Sequence, residues 1–362
     1  MKYDSVIYIN GCEISINAPT YFIADIAANH DGDLGRAKQL IWMAKKAGAN
    51  AVKFQHFKAD KIVSDYGFRK LGGQIGHQST WKKSVYEIYE QYECNRDWNE
   101  ELLQTAREAD IDFLTTPYDY EAVSMLDNCL PAYKIGSGDI TWIDFIKNIA
   151  CKGKPVMLAT GASDIVDVER AVEAVLNVNR KLILMQCNTN YTGQLENFRY
   201  INLKVLQTYA LHYPNLVLGL SDHTPGHATV LGAIALGARV IEKHFTDDND
   251  RIGPDHPFSM NPFSWQEMIK YARELEISLG TGVKRVEDNE LDTVVVQRRS
   301  LCFTRDMRSG EKIGENDLQS LRPCPPGALE PYRLKDVIGK RLAVDKATGD
   351  ALLRCDLEES IC

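Results

Sequence analysis

Gly219-Leu-Ser-Asp-His-Thr224 and Arg239-Val-Ile-Glu-Lys-His-Phe-Thr246 each close an apolar run with a histidine, His223 in the first and His244 in the second. Read as neighbouring strands of a parallel barrel, the two runs bring both imidazoles to the same rim. Two imidazoles at one rim suit a divalent metal and leave positions open for water or substrate, as a catalytic rather than a structural site requires.

Apolar runs bounded by turns recur on either side, near 21–27, 49–54, 111–115, 132–136, 155–160, 181–187, 215–220 and 239–244. Helical patterns fill the gaps at Leu34–Ala47, Asn99–Ala109, Asp164–Asn177, Thr229–Leu236 and Ser264–Leu279. Eight strand–helix units over about 280 residues predict an α/β fold, a (β/α)8 TIM barrel. The competing doubly wound open sheet lacks a glycine-rich fingerprint after its first strand. Asn10-Gly11, between Val6–Ile9 and Glu13–Ile16, predicts a short hairpin ahead of the barrel. Segment 58–97 reads as a polar insertion after the second barrel strand, at the end where active sites form. The barrel domain is assigned to 1–284 and a linker to 285–297, charged and irregular over Arg285–Glu290. A compact β-rich module, with turns around Gly310, Pro323-Cys-Pro-Pro-Gly327, Gly339 and Gly349, is assigned to 298–362.

The 362 residues carry 44% apolar and 25% charged side chains, which suits a globular chain with a large core. A net charge of −8 and no long Lys/Arg run argue against a nucleic-acid partner. No apolar run approaches ~18 residues, so no membrane span is expected. Met1–Ser5 lacks a signal-peptide layout. Nine cysteines without a CxxC pair suggest reduced thiols in a cytoplasmic protein, each read as a small buried apolar residue. Cys187 alone lies near the proposed site, with nothing beside it to mark a nucleophile.

The strand ends collect Asp25, Lys53 with Gln55, Thr116, Lys134 with Ser137 and Asp139, Thr160, Asn188 with Tyr191, Ser221 with His223, and Glu242 with His244. An inward lysine needs an anion. Phosphate and carboxylate of a small substrate would serve for Lys53 and Lys134. So would internal pairs with Asp25 or Asp139, and a Schiff-base lysine is a third reading. His30 is a candidate for orienting the site, with helix capping by Asn29 or Asp31 as the alternative reading of that stretch. Asp255 follows His244 closely enough to reach the rim.

Ala28-Asn-His-Asp-Gly32, Val52-Lys-Phe-Gln55, Thr116-Pro117, Pro131-Ala-Tyr-Lys-Ile-Gly-Ser137, Gly219-Leu-Ser-Asp-His223, Ile241-Glu-Lys-His-Phe245 and Gly253-Pro-Asp255, in this order, resemble the sialic acid (N-acetylneuraminate) synthase family over nearly the whole chain. The tail from Arg298 is similar to that family's antifreeze-like (SAF) domain. The resemblance implies condensation of phosphoenolpyruvate with an N-acyl hexose, either N-acetylmannosamine or a 2,4-diacetamido-trideoxyhexose, to a nonulosonic acid with release of phosphate. It implies that Lys53, Thr116, Lys134, Ser137 and Ser221 hold phosphoenolpyruvate and that His223 and His244 bind Mn²⁺, with Mg²⁺ or Co²⁺ as alternatives. Asp25, Asp139 and Asp255 would join the two lysines in catalysis, and Gln55, Asn188 and Tyr191 would contact substrate. Arg299 would reach a partner subunit's site, which implies a domain-swapped homodimer. Asp25 and Asp139 stand where the family carries glutamates, Ala159 where a serine is common, and Asn188-Thr-Asn-Tyr191 is a shuffled motif. These departures point to a non-standard nonulosonate such as a legionaminic or pseudaminic acid. Two rival functions are a Schiff-base keto-acid aldolase and a non-catalytic sugar-binding protein on the same scaffold.

Overall fold

In the computed structural model, residues 2–72 and 74–358 are described. They form two compact units, Met1–Gly280 and Thr281–Cys362.

The first unit opens with the hairpin β1 (Val6–Ile9) and β2 (Cys12–Ser15). Its turn places Asn10 at φ 47° and Gly11 at φ 83°. Two consecutive left-handed residues are what a tight hairpin turn demands, and Asn-Gly meets that demand with least strain. Eight parallel strands follow: β3 (Tyr21–Asp25), β4 (Ala51–His56), β5 (Asp112–Pro117), β6 (Tyr133–Ile135), β7 (Val156–Ala159), β8 (Leu182–Cys187), β9 (Val217–Asp222) and β10 (Ala238–His244). Their ladder runs β5-β4-β3-β10-β9-β8-β7-β6, and the end strands β5 and β6 lie alongside one another to make a near-closed barrel. Helices such as Leu34–Lys46, Asn99–Glu108, Ile165–Leu176 and Pro262–Leu279 cover the outside.

The side-chain period of two splits each strand between two cores. Outward residues such as Phe22, Ala24, Val52, Phe54 and Leu184 meet the helices. Inward residues form a separate apolar layer of Tyr21, Ile23, Ala51, Leu114, Ala132, Met157, Ile183, Met185, Val217 and Val240, plugged from below by Ile7, Ile9 and Ile14 of the hairpin. Gly219 belongs to this layer, where a Cβ would meet the Val240 carbonyl at 2.7 Å and Met185 Cγ at 2.9 Å. One step up the same inward faces, the residues turn polar: Asp25, Lys53, Gln55, Thr116, Lys134, Ser221, Glu242 and His244. Register aligns them, with Asp25 beside both Lys53 and His244, Gln55 beside Thr116, and Glu242 beside Ser221.

After the charged stretch Arg285–Glu290, Leu291–Gln297 is helical. Two expectations need correction. The insertion is built of helices at Ala59–Ile62, Asp65–Lys70 and Val85–Gln91, and the side chains it turns to the cavity are mostly apolar and aromatic, with His77 among them, rather than uniformly polar. Four of the eight described cysteines, Cys12, Cys129, Cys151 and Cys355, are exposed rather than buried. The second unit has its own core, including Leu301, Phe303, Ile313 and Leu342, beneath the antiparallel pair β11 (Ser300–Phe303) and β12 (Leu318–Leu321).

Two buried histidines outside the barrel interior carry a pH signature. His56 lies between Thr115 Oγ1 and Asn99 Oδ1, each 2.7 Å away, and His30 lies edge-on to Trp98. Burial lowers both imidazoles from 6.5 to about 4. The unfolded chain therefore takes up protons first, so their contribution to stability is complete above pH 6.5 and lost as pH falls toward 4. The slope is at most about 1.4 kcal/mol per pH unit for each histidine. Asp139, raised to about 6 by burial, acts in the opposite sense over this window. A His56→Gln comparison isolates the histidine term: urea unfolding between pH 7 and pH 4.5 should show the wild type losing stability faster than the variant. Parallel slopes would refute the assignment.

Candidate active site

The polar layer at the C-terminal strand ends lines a cavity of about 410 Å³. Lys53 and Asp25 are buried and joined at 2.8 Å, and Lys53 Nζ also donates to Thr116 Oγ1 at 3.0 Å. Gln55 donates to the same Asp25 oxygen at 3.0 Å. Burial alone would raise the Asp25 carboxyl, but Lys53, His244 and the two hydrogen bonds outweigh it and hold the group below the usual carboxylate range. Burial would likewise lower Lys53, yet Asp25 and Glu242 raise it above the usual ammonium value. Lys134 pairs with Glu242 at 2.7 Å, and Ser221 Oγ donates to the same carboxylate at 3.0 Å. The internal partner of Lys134 is thus Glu242, not Asp139.

Asp139 instead faces the cavity, and its Oδ2 is buried without a hydrogen-bond partner. Ser137 Oγ accepts from the Gly161 amide at 2.9 Å. Cys187 also lines the cavity, and burial pushes its thiol up, away from a nucleophilic thiolate.

The rings of His223 and His244 lie 5.3 Å apart. His223 Nδ1 donates to the Asn188 carbonyl at 2.8 Å, so its Nε2 keeps a lone pair. Burial, reinforced by His244, pushes His223 down to about 3, which keeps the imidazole neutral as a ligand must be. His244 Nδ1 is buried without a hydrogen-bond partner and lies 3.7 Å from Asp255 Oδ2, while its Nε2 lies 3.6 Å from Asp25 Oδ2. The neutral His223 imidazole and the unpartnered His244 Nδ1, beside two carboxylates, fit a divalent cation. Among the described residues, no group of three or more His, Cys, Asp or Glu forms a ready-made ligand cluster. Tyr191 packs against His223 at a tilt, with ring centres 4.1 Å apart, and meets His77 of the insertion at 4.9 Å.

Asn188 serves the site through its backbone: its side chain donates to the Tyr200 carbonyl and it does not line the cavity. Arg299 is exposed in the second unit, where it donates to the Ser320 carbonyl at 3.1 Å, and the cavity is built from the first unit alone. Helix capping falls to Asp33, not to Asn29 or Asp31.

Three groups escaped the sequence reading. His256 is fully buried between Thr246 Oγ1 at 2.7 Å and Asp31 Oδ1 at 2.9 Å. Asp31 also holds Arg36 and Arg251, so the loop carrying Asp255 is tied to the loop after β3. Behind the histidines, on the outward faces, Lys243 pairs with Asp222 at 2.5 Å, and Thr224 and Thr229 donate to the same carboxylate. The third group is the wall contributed by the insertion, Ile62, His77, Trp81, Ile88, Tyr89 and Tyr92, with Phe57 just ahead of it.

A (β/α)8 barrel with buried lysine–carboxylate pairs and two imidazoles at its C-terminal rim has the layout of a barrel enzyme. The sequence profile of the NeuB family matches residues 40–284 and that of the SAF domain matches 298–358. The chain belongs to the NeuB family. It is 34% identical to the N,N'-diacetyllegionaminic acid synthase of Legionella pneumophila, over 95% of this chain and 97% of that protein. It is 29% identical to the human N-acetylneuraminate-9-phosphate synthase, over 92% of each chain. The crystal structure of the N-acetylneuraminic acid synthetase of Leptospira borgpetersenii, bound to citrate, superposes with a TM-score of 0.70 at 27% identity, over 80% of this chain and 95% of that one.

Proposed function

We propose that this protein condenses phosphoenolpyruvate with an N-acyl hexose to give a nonulosonic acid and phosphate. The observation that carries this reading is the pair of buried, carboxylate-paired lysines facing two imidazoles in one cavity. Lys53 and Lys134 engage the carboxylate and phosphate of phosphoenolpyruvate, with the hydroxyls of Thr116, Ser137 and Ser221 fixing its orientation. His223 and His244 would hold a divalent cation, most simply Mn²⁺, and such an ion polarises a carbonyl as a Lewis acid. C3 of phosphoenolpyruvate attacks the aldehyde carbon of the open-chain sugar, and the electron-poor C2 left behind is stabilised by the carboxylates around it. Water adds at C2 and its proton passes to a carboxylate. Asp139 suits that role, because burial brings its carboxyl to about 6 and its Oδ2 faces the cavity unpartnered. The C–O bond to phosphate then breaks, leaving the keto group. Asp255 lies at the acceptor end beside His244. We place Arg299 in the site of a partner subunit within a homodimer.

The Schiff-base reading fits less well, because an attacking lysine must be neutral and Lys53 is held protonated by Asp25 and Glu242. Phosphate release from phosphoenolpyruvate in the presence of N-acyl hexoses, with Mn²⁺ and with EDTA, tests the proposal. Release with Mn²⁺, a product mass equal to sugar plus pyruvate, and loss of activity in EDTA are expected. His223→Gln should lose bound metal by elemental analysis while unfolding at the wild-type urea midpoint. Activity untouched by EDTA would overturn the metal role, and borohydride trapping of a keto acid on Lys53 would restore the aldolase.

A further inference from the structure

Asp255 lines the cavity beside His244, yet it ends a stretch, 247–255, that holds neither helix nor strand. A side chain on irregular backbone is placed only as well as the contacts that fix that backbone. Those contacts converge on the loop after β3. The Ala28 amide donates to Asp255 Oδ2 at 3.2 Å. Asn29 Nδ2 donates to the Phe245 carbonyl and to Ser259 Oγ, each at 2.9 Å, and Ser259 Oγ donates to the Asp255 carbonyl at 2.6 Å.

Asp31 is the hub of this clasp. Its Oδ1 accepts from His256 Nε2 at 2.9 Å, and its Oδ2 meets Arg251 Nη2 at 2.9 Å and Arg36 Nε at 3.0 Å. Arg36 reaches on to Asp247 at 2.7 Å. His256 is fully buried, and Gly253 packs so closely on its ring that a Cβ would meet His256 Cδ2 at 2.6 Å. Asp31 itself holds φ at 55°, a left-handed backbone that Asp adopts more readily than most residues but still at a cost. A buried imidazole, two guanidinium groups and a strained backbone thus gather on a carboxylate that does not line the cavity.

We infer that Asp31 and His256 are positioning residues: by locking the two loops together they fix the Asp255 carboxylate beside His244, without touching substrate themselves. The inference rests on the condensation proposed above, and two kinds of measurement keep the two apart.

Asp31→Gly removes every contact of the carboxylate and leaves a residue suited to the left-handed backbone. In the metal-free variant, amides of 247–259 should exchange with deuterium about tenfold faster than in the wild type, with the barrel strands unchanged. In the Mn²⁺-loaded variant, kcat/KM for the acceptor, N-acetylmannosamine or a 2,4-diacetamido-trideoxyhexose, should fall roughly 30- to 100-fold, the scale of displacing a reacting group by about 1 Å. KM for phosphoenolpyruvate should stay within about twofold, because Lys53 and Lys134 stand on strands that the clasp does not hold. His256→Leu should behave like Asp31→Gly, whereas His256→Gln, which can still donate to Asp31, should stay within about threefold of the wild type. Since Asp31 acts through Asp255, the double variant Asp31→Gly/Asp255→Asn should lose no more than Asp255→Asn alone. Losses that multiply, or unchanged exchange in the loop, would overturn the inference while the condensation stands. No phosphate release by the wild type with either acceptor would overturn the condensation, and the exchange comparison alone would then decide whether the clasp holds the loop.

Discussion

Lys134→Met is expected to lower kcat/KM by roughly a thousandfold, the scale of losing one fixed electrostatic contact to a developing charge. It should also destabilise the fold by about 3–5 kcal/mol, because Glu242 is left charged and buried without its partner. Glu242 then keeps the hydrogen bond from the Ser221 hydroxyl at 3.0 Å and the more distant charge of Lys53, and its Oε2 already lacks a hydrogen bond. The double variant Lys134→Met/Glu242→Gln separates the two effects. It removes the orphan charge, so the urea midpoint should recover most of the loss, while phosphate release should stay at the level of the single variant. Recovery of activity together with stability would mean that Lys134 acts only as a structural counter-ion.

Lys243→Met should produce the second large effect, again about 3–5 kcal/mol of stability. Lys243 and Asp222 are each 1% exposed in their side chains and occupy the layer between barrel and helices. Burial would raise the Asp222 carboxyl, but Lys243 and the Thr224 and Thr229 hydroxyls hold it low, so removing the lysine leaves a buried carboxyl with hydroxyl partners alone. Each member of the pair immediately precedes a rim histidine in the chain. The variant should therefore also weaken Mn²⁺ binding by about 10- to 100-fold, the usual effect of disturbing groups behind a ligand. Titration of metal into the folded variant checks this, and wild-type affinity would confine the pair to stability.

The barrel was legible because its strands and helices carry clean periodicity and because chemistry gathers where the inward faces reach the rim. Asp25, Lys53, Lys134, Ser221, Glu242, His223 and His244 were all found by reading strand ends. Lys243 was passed over for a geometric reason: it alternates with Glu242 and His244, so its side chain leaves the barrel on the opposite face and meets Asp222 across one strand. His256 belongs to a loop without period, and its partner Asp31 is more than 200 positions away. The insertion read as polar because its charged residues outnumber the few apolar ones that turn inward, and averaged composition hides such a face. The exposed cysteines show the same weakness, since the residue type favours burial but only position decides it.

The register that seats His244 beside Asp25 joins the first barrel strand to the last. During synthesis, the site does not exist until the ribosome has passed residue 244, roughly 10–50 s after initiation at ordinary elongation rates. Through that interval the strand edges of β3 and the apolar hairpin beneath it have no closing partner. Contacts so distant in sequence also make folding slow. Until then an unpaired strand edge over apolar surface is open to pairing with other chains, a hazard that closure of the barrel removes.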